Sequence, residues 1–172
     1  MKEAGIENPI NLIRCAWAGS QRFGALVWSG DVPSTFTYLR NQFAASLNMG
    51  MAGIPWWTAD IGGFHGGNIH DPAFHELLMR WFQFGTFCPV MRLHGDRDPH
   101  KPAIPGTPAS GAGNEVWSYP PHVQKMMLRF IHLRQAMKDY LLQAMKEAHE
   151  NGTPVMKPLF YDFPQDPLAW EA

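Results

Sequence analysis

The chain has 172 residues, of which 45% are hydrophobic and 13% aromatic, and this composition predicts a folded domain with a substantial core. Fourteen basic and fifteen acidic residues give a formal net charge of −1 with histidine neutral, and no basic stripe suggests a nucleic-acid partner. No apolar run reaches the roughly 18 residues that a membrane-spanning helix needs, so no membrane partner is expected.

The first predicted unit is a strand followed by a turn and a helix. The apolar run 23–28 reads as a buried strand and leads through Ser-Gly into Asp31. Ser34 is the predicted helix cap. Apolar residues then recur at helical spacing, at Phe36, Leu39, Phe43 and Leu47.

The second predicted unit repeats this plan. Its strand, 53–57, ends before Asp60 and a glycine-rich loop. Asp71 and Pro72 then have the order of an N-cap and a first-turn proline, which predicts a second helix. The apolar face of that helix is formed by Phe74, Leu77, Leu78, Trp81 and Phe82.

A third strand is predicted over 87–95. Along it Arg92 and His94 alternate with Met91 and Leu93, so the polar pair and the apolar pair should face opposite sides. An arginine that faces inward needs a charge or a ligand as its partner.

The rest of the chain is predicted more coarsely. The run 11–17 is a further strand candidate, and the proline- and glycine-rich stretch 100–121 reads as a long loop. A single amphipathic helix is predicted over 121–150, ended by Gly152. The stretch 153–164 suggests strands interrupted by prolines.

Polar residues therefore follow the predicted strands at regular intervals. Asp31 and Asp60 are 29 residues apart, and Asp60 and His94 are 34 apart, about the length of a βαβ step. Because parallel strands end at one side of a sheet or barrel, these residues and Arg92 should converge there. The fold class is therefore α/β, although three or four parallel strands are too few to close an eight-stranded barrel.

Two carboxylates at one edge suit glycoside hydrolysis, which uses a pair of them. The alternative is that each aspartate only caps a turn. Aromatic side chains at or just past strand ends favour a sugar site, because sugars stack on such rings; they are Trp28, Trp57 and Phe64. Core packing is the competing explanation for these rings, and it is favoured for the neighbouring Trp56.

Other chemistries have weaker support. Cys15 and Cys88 lie in apolar segments without metal-binding spacing, which predicts two buried, reduced thiols and favours a reducing compartment such as the cytoplasm. His65, His70 and His75 could suggest a metal, but no rigid element sets their geometry, so none is expected. No phosphate-binding or dinucleotide-binding glycine motif is present, and no cofactor is expected.

Three long stretches in order, RCAWAGSQRFGALVWSGD, GIPWWTADIGGF and FQFGTFCPVMRLHG, resemble glycoside hydrolase family 31, which contains α-glucosidases and α-xylosidases. The resemblance implies a retaining α-glycosidase with a (β/α)8 TIM barrel and β-rich flanking domains. Asp31 matches the general acid/base, and Asp60 and His94 match residues that hold sugar hydroxyls. The other matching positions are substrate-binding or line the pocket: Arg14 near the scissile bond, with Arg92, Trp28, Trp57 and Phe64.

The family's aspartate nucleophile has no counterpart here, since it lies upstream of the position that matches Arg14. The resemblance therefore implies that residues 1–150 are the C-terminal half of the catalytic barrel and that 151–172 begin a β-sandwich-like domain. On this interpretation the isolated chain is inactive. Two alternatives stay open: a non-catalytic carbohydrate-binding or scaffold protein, and a metal-dependent hydrolase that uses His65, His70 and Asp71. The sequence leaves open glucose or xylose, the linkage and whether the protein forms a homo-oligomer.

Overall fold

A computed structural model describes residues 5–6, 9–102 and 104–171. One sheet contains three parallel strands in chain order, β1 (Asn11–Ile13), β2 (Ala25–Trp28) and β3 (Trp57–Thr58). A 3-10 helix (Ser20–Phe23) joins β1 to β2, and α1 (Phe36–Met51) joins β2 to β3. The strand–helix–strand unit predicted from the sequence is therefore present.

A second sheet lies further along the chain. Its strands are β4 (His65–Asn68), β5 (Asp96–Pro102) and β6 (Ala109–Ala112), with β4 and β5 parallel and β5 and β6 antiparallel. Between β4 and β5 runs α2 (Pro72–Phe87). The stretch predicted as a long loop over 100–121 is thus partly a hairpin, because β5 and β6 pair across it.

The helices after β6 complete the fold. A 3-10 turn (Val116–Ser118) precedes α3 (Pro121–Ala136) and α4 (Lys138–Asn151), and two short helices follow, α5 (Leu159–Asp162) and α6 (Leu168–Glu171). None of the helices among the described residues is long and apolar enough to cross a membrane.

The main core lies between α2 and α3. The prediction for α2 is confirmed: the Asp71 side chain accepts a hydrogen bond from the Ala73 N–H at 2.9 Å, and Pro72 starts the helix. All the predicted apolar residues of α2 are buried. They pack with Ile61, Tyr119, Val123 and Met127 in one cluster.

The packing of α1 differs from the prediction. Thr35, not Ser34, is the N-cap, and its side chain accepts from the Tyr38 N–H at 3.2 Å. The buried residues of α1 are small or polar, namely Gln42, Ser46 and Gly50. Phe36 and Phe43 of the predicted apolar face are about half exposed in this chain.

The third predicted strand, 87–95, does not form a strand. Single backbone hydrogen bonds, Val90 N–H to the Trp57 carbonyl at 3.2 Å and Ile61 N–H to the Arg92 carbonyl at 3.3 Å, join the segment to its neighbours. Pro89 has no N–H to donate, which interrupts a ladder. The predicted alternation is nevertheless confirmed, because Met91 and Leu93 pack against the main core while the other side faces Asp60.

Two predictions for the C-terminal part are wrong. The helix predicted over 121–150 is broken at Met137, whose ψ of 5° is not helical, while its predicted end at Gly152 is confirmed. In 153–164 the described chain forms the short helix α5 rather than strands. That 151–172 begins a β-sandwich-like domain stays a prediction.

The two cysteines lie in different environments. Cys88 is fully buried, and burial raises the pKa of its thiol to about 12. Cys15 is exposed, so the prediction of two buried thiols is wrong for that residue. It lies beyond the end of β1 in a stretch with no regular structure, which explains why apolar neighbours in sequence do not cover it.

We expect residues 1–172 expressed alone to self-associate. Among the described residues β1 pairs with β2 on one side only, and its Leu12 is half exposed beside the exposed Ile10 and Phe23. An open, apolar strand edge recruits other chains. Sedimentation or light scattering should show oligomers, and Leu12→Lys should reduce them. A cooperatively melting monomer would contradict this expectation.

Candidate active site

The first part of the site forms where β1 and β2 end. Asp31 follows a turn at Gly30, whose φ of 73° favours glycine. Arg14 follows β1, and its Nη2 donates to the Asp31 Oδ2 at 2.9 Å. The same guanidinium lies 5.1 Å from the centre of the Trp28 ring. Parallel pairing of β1 with β2 therefore brings together three residues that the sequence predicted for the site.

The second part forms after β3. Asp60 is completely buried, forms an ion pair with Arg92, and its N–H donates to the Ser29 hydroxyl at 3.2 Å. Burial raises the pKa of Asp60 above its ordinary value of 3.8, and the negative charge of Asp31 adds to this effect. The guanidinium charge of Arg92, the neighbouring His94 and the guanidinium charge of Arg97 lower this pKa and oppose the effect of burial. These charged groups thus act on one another at one edge of the sheet.

The burial of Asp60 makes this residue part of the folded core as well as of the site. Its carboxylate is held inside the protein by the Arg92 guanidinium, so loss of either partner should cost stability.

Phe64 and His94 form a third part. Their ring centres are 5.5 Å apart with an interplanar angle of 46°. Phe64 is fixed on both sides, because its N–H donates to the Val32 carbonyl and its carbonyl accepts from the Asp96 N–H, each at 2.7 Å. The aromatic ring is therefore held between the segment that follows Asp31 and the start of β5.

The two adjacent tryptophans differ in burial: Trp57 is buried, whereas Trp56 is partly exposed. The register pairs Val27 with Trp57 and Trp28 with Thr58, so Trp57 faces away from Trp28. Trp57 is buried in a second cluster with Val27, Ile54 and Cys88, and its contact with a substrate stays a prediction. Trp56, expected in the core, borders a surface hollow beside Ala25 at the start of β2.

Several buried polar atoms at the site have no hydrogen-bond partner among the described residues. They include Thr58 Oγ1, Asp60 Oδ2 and Arg92 Nε. Buried polar groups in native proteins almost always have partners, so such atoms need an explanation. A ligand rich in hydroxyl groups supplies both donors and acceptors and would satisfy a site of this kind.

The three histidines considered for a metal lie in different environments. His75 is buried and its Nε2 lies 2.7 Å from the Ile69 carbonyl oxygen, while His65 and His70 are exposed. In the ranges that the structure describes, no group of three or more His, Cys, Asp or Glu side chains could hold a metal ion. These residues therefore do not form the donor set that a metal-dependent hydrolase would use.

A hollow of about 710 Å³ runs along α3 and contains none of the predicted site residues. It is lined by residues such as His122, Lys125, Met126 and Arg129, without a carboxylate or a large aromatic ring. We therefore place the site at the strand ends, where the charged groups interact.

Sequence reasoning missed Arg97, which is fully buried directly behind the site. It stands among charged residues in the stretch HGDRDPH, which reads as a solvated turn. The alternation along β5 is the signal that could have revealed it, because Arg97 faces inward while Asp96, Asp98 and His100 form ion pairs on the outer side.

Carboxylates and aromatic rings at the carboxyl ends of parallel strands define the catalytic face of a β/α-barrel enzyme. The family model for the glycosyl hydrolases family 31 TIM-barrel domain matches residues 1–144. The chain belongs to this family, which confirms the resemblance seen in the sequence.

Three relatives show how far the similarity extends. The α-xylosidase of Saccharolobus solfataricus is 39% identical over 160 residues, which cover 93% of this chain and 20% of that protein. A protein of Pseudescherichia vulneris described as a family 31 glucosidase is 68% identical over 99 residues, 58% of this chain and 19% of the relative. A crystal structure of a family 31 α-xylosidase from a soil metagenome, complexed with xylose, has a TM-score of 0.93 and 57% identity, and the match covers 99% of this chain and 26% of that one. The chain spans about a fifth of the length of the curated relatives it matches.

We expect Arg92→Met to destabilise the protein by about 2–4 kcal/mol near neutral pH. Breaking a buried pair costs about 3–5 kcal/mol, and the cost here is reduced because the Arg92 side chain is 25% exposed. The penalty should shrink as the pH falls towards 3.8, because a protonated Asp60 carries no charge to bury. Urea unfolding over this pH range measures it.

The control is the double variant Asp60→Asn with Arg92→Met, which removes both charges and should recover part of the lost stability. An equal or greater loss in the double variant would show that the ion pair does not account for the effect.

Proposed function

We propose that the protein is a retaining, exo-acting α-glycosidase that hydrolyses terminal α-linked xylosides or glucosides. The observation that carries this proposal is the contrast between two neighbouring aspartates. The Asp31 side chain is 34% exposed, whereas the Asp60 side chain is 0% exposed and paired. Carboxylates with different environments at one site are suited to different tasks.

Asp31 has the position of the general acid/base. Its proton passes to the glycosidic oxygen as the bond to the leaving group breaks, and Asp31 then takes a proton from the water that attacks the glycosyl-enzyme intermediate. Both steps need a carboxyl group that solvent and the leaving group can reach. Arg14 and the Trp28 ring beside it would contact the sugar or its aglycone.

Asp60, Arg92 and His94 have the position of hydroxyl-binding groups. The partnerless Asp60 Oδ2 can accept a hydrogen bond from a hydroxyl, and the Arg92 Nε can donate one. Hydrogen bonds to sugar hydroxyls that strengthen in the transition state contribute to catalysis by these enzymes. Phe64 packs against the His94 ring and would border the sugar.

The nucleophile is assigned to a carboxylate outside these 172 residues. Asp60 is a poor candidate, because it is buried and an arginine already holds one of its oxygens. By the resemblance, the nucleophile is an aspartate on an earlier strand, upstream of Arg14. The sugar is inferred from the similar α-xylosidases and from the relative described as a glucosidase.

In the protein expressed from its complete reading frame, Asp31→Ala should lower kcat/KM by about 10²–10⁴-fold for glycosides with poor leaving groups. Activated aryl glycosides need little protonation, so their first step should suffer less, and azide should accelerate the second step. Steady-state assays with aryl and alkyl α-xylosides and α-glucosides measure both effects.

Asp139→Ala is the matched control, since Asp139 lies in the first turn of α4, away from the strand ends. It should leave turnover unchanged. Equal losses on all substrates in the Asp31 variant, or xylose binding without any hydrolysis by the unaltered protein, would contradict the acid/base role and favour a carbohydrate-binding protein. Loss of activity with a chelator would favour a metal-dependent hydrolase.

A further inference from the structure

We infer that Arg97 is a positioning residue that fixes the sugar-binding groups Asp60, Phe64 and His94 through their backbone, an inference that rests on the proposed function. Arg97 is 0% exposed and its guanidinium donors are all occupied by other groups of the protein, so it has no free donor for the substrate. Its effect on the site must pass through the atoms that surround its guanidinium.

All five N–H donors of the Arg97 guanidinium have an acceptor. Nε donates to Asn114 Oδ1 at 3.1 Å. Nη1 donates to Ser34 Oγ at 3.3 Å and to the Gly66 carbonyl at 3.0 Å. Nη2 donates to the Ile61 carbonyl at 2.9 Å and to the His94 carbonyl at 3.2 Å. None of these acceptors is a carboxylate, so the charge is held mainly by neutral oxygens. Burial accordingly lowers the pKa of Arg97 from its ordinary value.

The acceptors border the predicted site residues along the chain. Ile61 directly follows Asp60, and Gly66 comes two residues after Phe64. The His94 carbonyl belongs to a site residue itself. A planar group that binds all of these carbonyls fixes the distance between the loop after β3 and the segment before β5. Only single backbone hydrogen bonds, rather than a continuous β-ladder, join these two stretches directly.

Two glycines show how closely the backbone surrounds this guanidinium. A Cβ atom at Gly62 would lie 2.7 Å from the Arg97 Nη2, and one at Gly95 would lie 2.5 Å from it. Both glycines also have positive φ, 95° and 147°. The cavity therefore fits a flat fork that contacts main chain directly, and the single ammonium of lysine has too few donors in too narrow a geometry to replace it.

Arg97 also contributes charge to the site. Asp60 faces Arg92, His94, Asp31 and Arg97, and the guanidinium charges of Arg92 and Arg97 favour its ionised form. Removing the Arg97 charge should raise the pKa of Asp60, whereas a lysine would retain most of this effect.

The test uses Arg97→Lys and Arg97→Met in the protein expressed from its complete reading frame. We expect kcat/KM for aryl α-xylosides or α-glucosides to fall roughly 10²-fold in both, as for groups displaced by about 1 Å. Affinity for xylose or glucose, measured by calorimetry, should fall in parallel. The acid limb of the kcat/KM profile should move to higher pH in Arg97→Met and stay in place in Arg97→Lys.

Arg134→Lys is the matched control. Arg134 also binds main-chain carbonyls, those of Thr86, Cys88 and Pro89, but at the end of α2 rather than at the site. It should lose stability without the change in kinetics. If it lowers kcat/KM as much as Arg97→Lys does, the effect is general destabilisation and the positioning role is wrong.

A milder variant covers the case in which Arg97 substitutions do not fold. Ser34→Ala removes one acceptor of the guanidinium and should lower kcat/KM about 2–10-fold, the value of one hydrogen bond. If Arg97→Lys folds and has wild-type kinetics and sugar affinity, the inference is overturned while the glycosidase proposal stays intact. If Arg97→Lys does not fold, the same result in Ser34→Ala overturns the inference. If the unaltered protein neither hydrolyses these glycosides nor binds the sugars, the proposed function fails and this inference fails with it.

Discussion

Two arginines connect the loop that follows β3 to the segment that precedes β5. The Arg92 side chain pairs with the buried Asp60. Arg97 binds the Ile61 carbonyl in the loop and the His94 carbonyl in the segment. Few backbone hydrogen bonds link these two stretches directly. Much of the geometry of this region therefore depends on buried guanidinium groups, whose planar donors hold acceptors at fixed distances and angles.

The helical layer supports the same segment from behind. The core between α2 and α3 holds Met91 and Leu93, so the polar side of the segment can face only the strand ends. Arg134 of α3 binds the carbonyls with which α2 ends, where the helix itself leaves acceptors without partners. Apolar packing thus fixes which side of residues 88–95 faces the site, and Arg92 and Arg97 fix the distance of this segment from Asp60.

Burial separates the roles of the two aspartates. Asp31 lies in a turn at the surface, beside an arginine that is itself largely exposed, so this pair contributes little to stability. Asp60 lies inside the protein, where its charge is costly and its partner is needed. A site that keeps a buried, partly unsatisfied carboxylate gives up some stability, and such a cost is common where polar groups are arranged for a ligand.

The sequence by itself determined the features that depend on neighbouring residues in the chain. Apolar runs that end in polar residues located β2, β3 and the aspartates after them, and the spacing of apolar residues located α2 and its buried face. The three long motifs also identified the family to which the chain belongs. These features follow from chain geometry, because side chains alternate along strands and recur every three or four residues along helices.

The tertiary structure alone decided which side chains are buried and what holds them. The register of β2 with β3 turned Trp57 into the core, and the break at Met137 arose where the apolar periodicity continues without proline or glycine. Arg97 could not be distinguished in sequence from a surface arginine, because its five acceptors come from segments up to 63 residues away. Burial of a charge depends on such distant partners, and local pattern does not contain them.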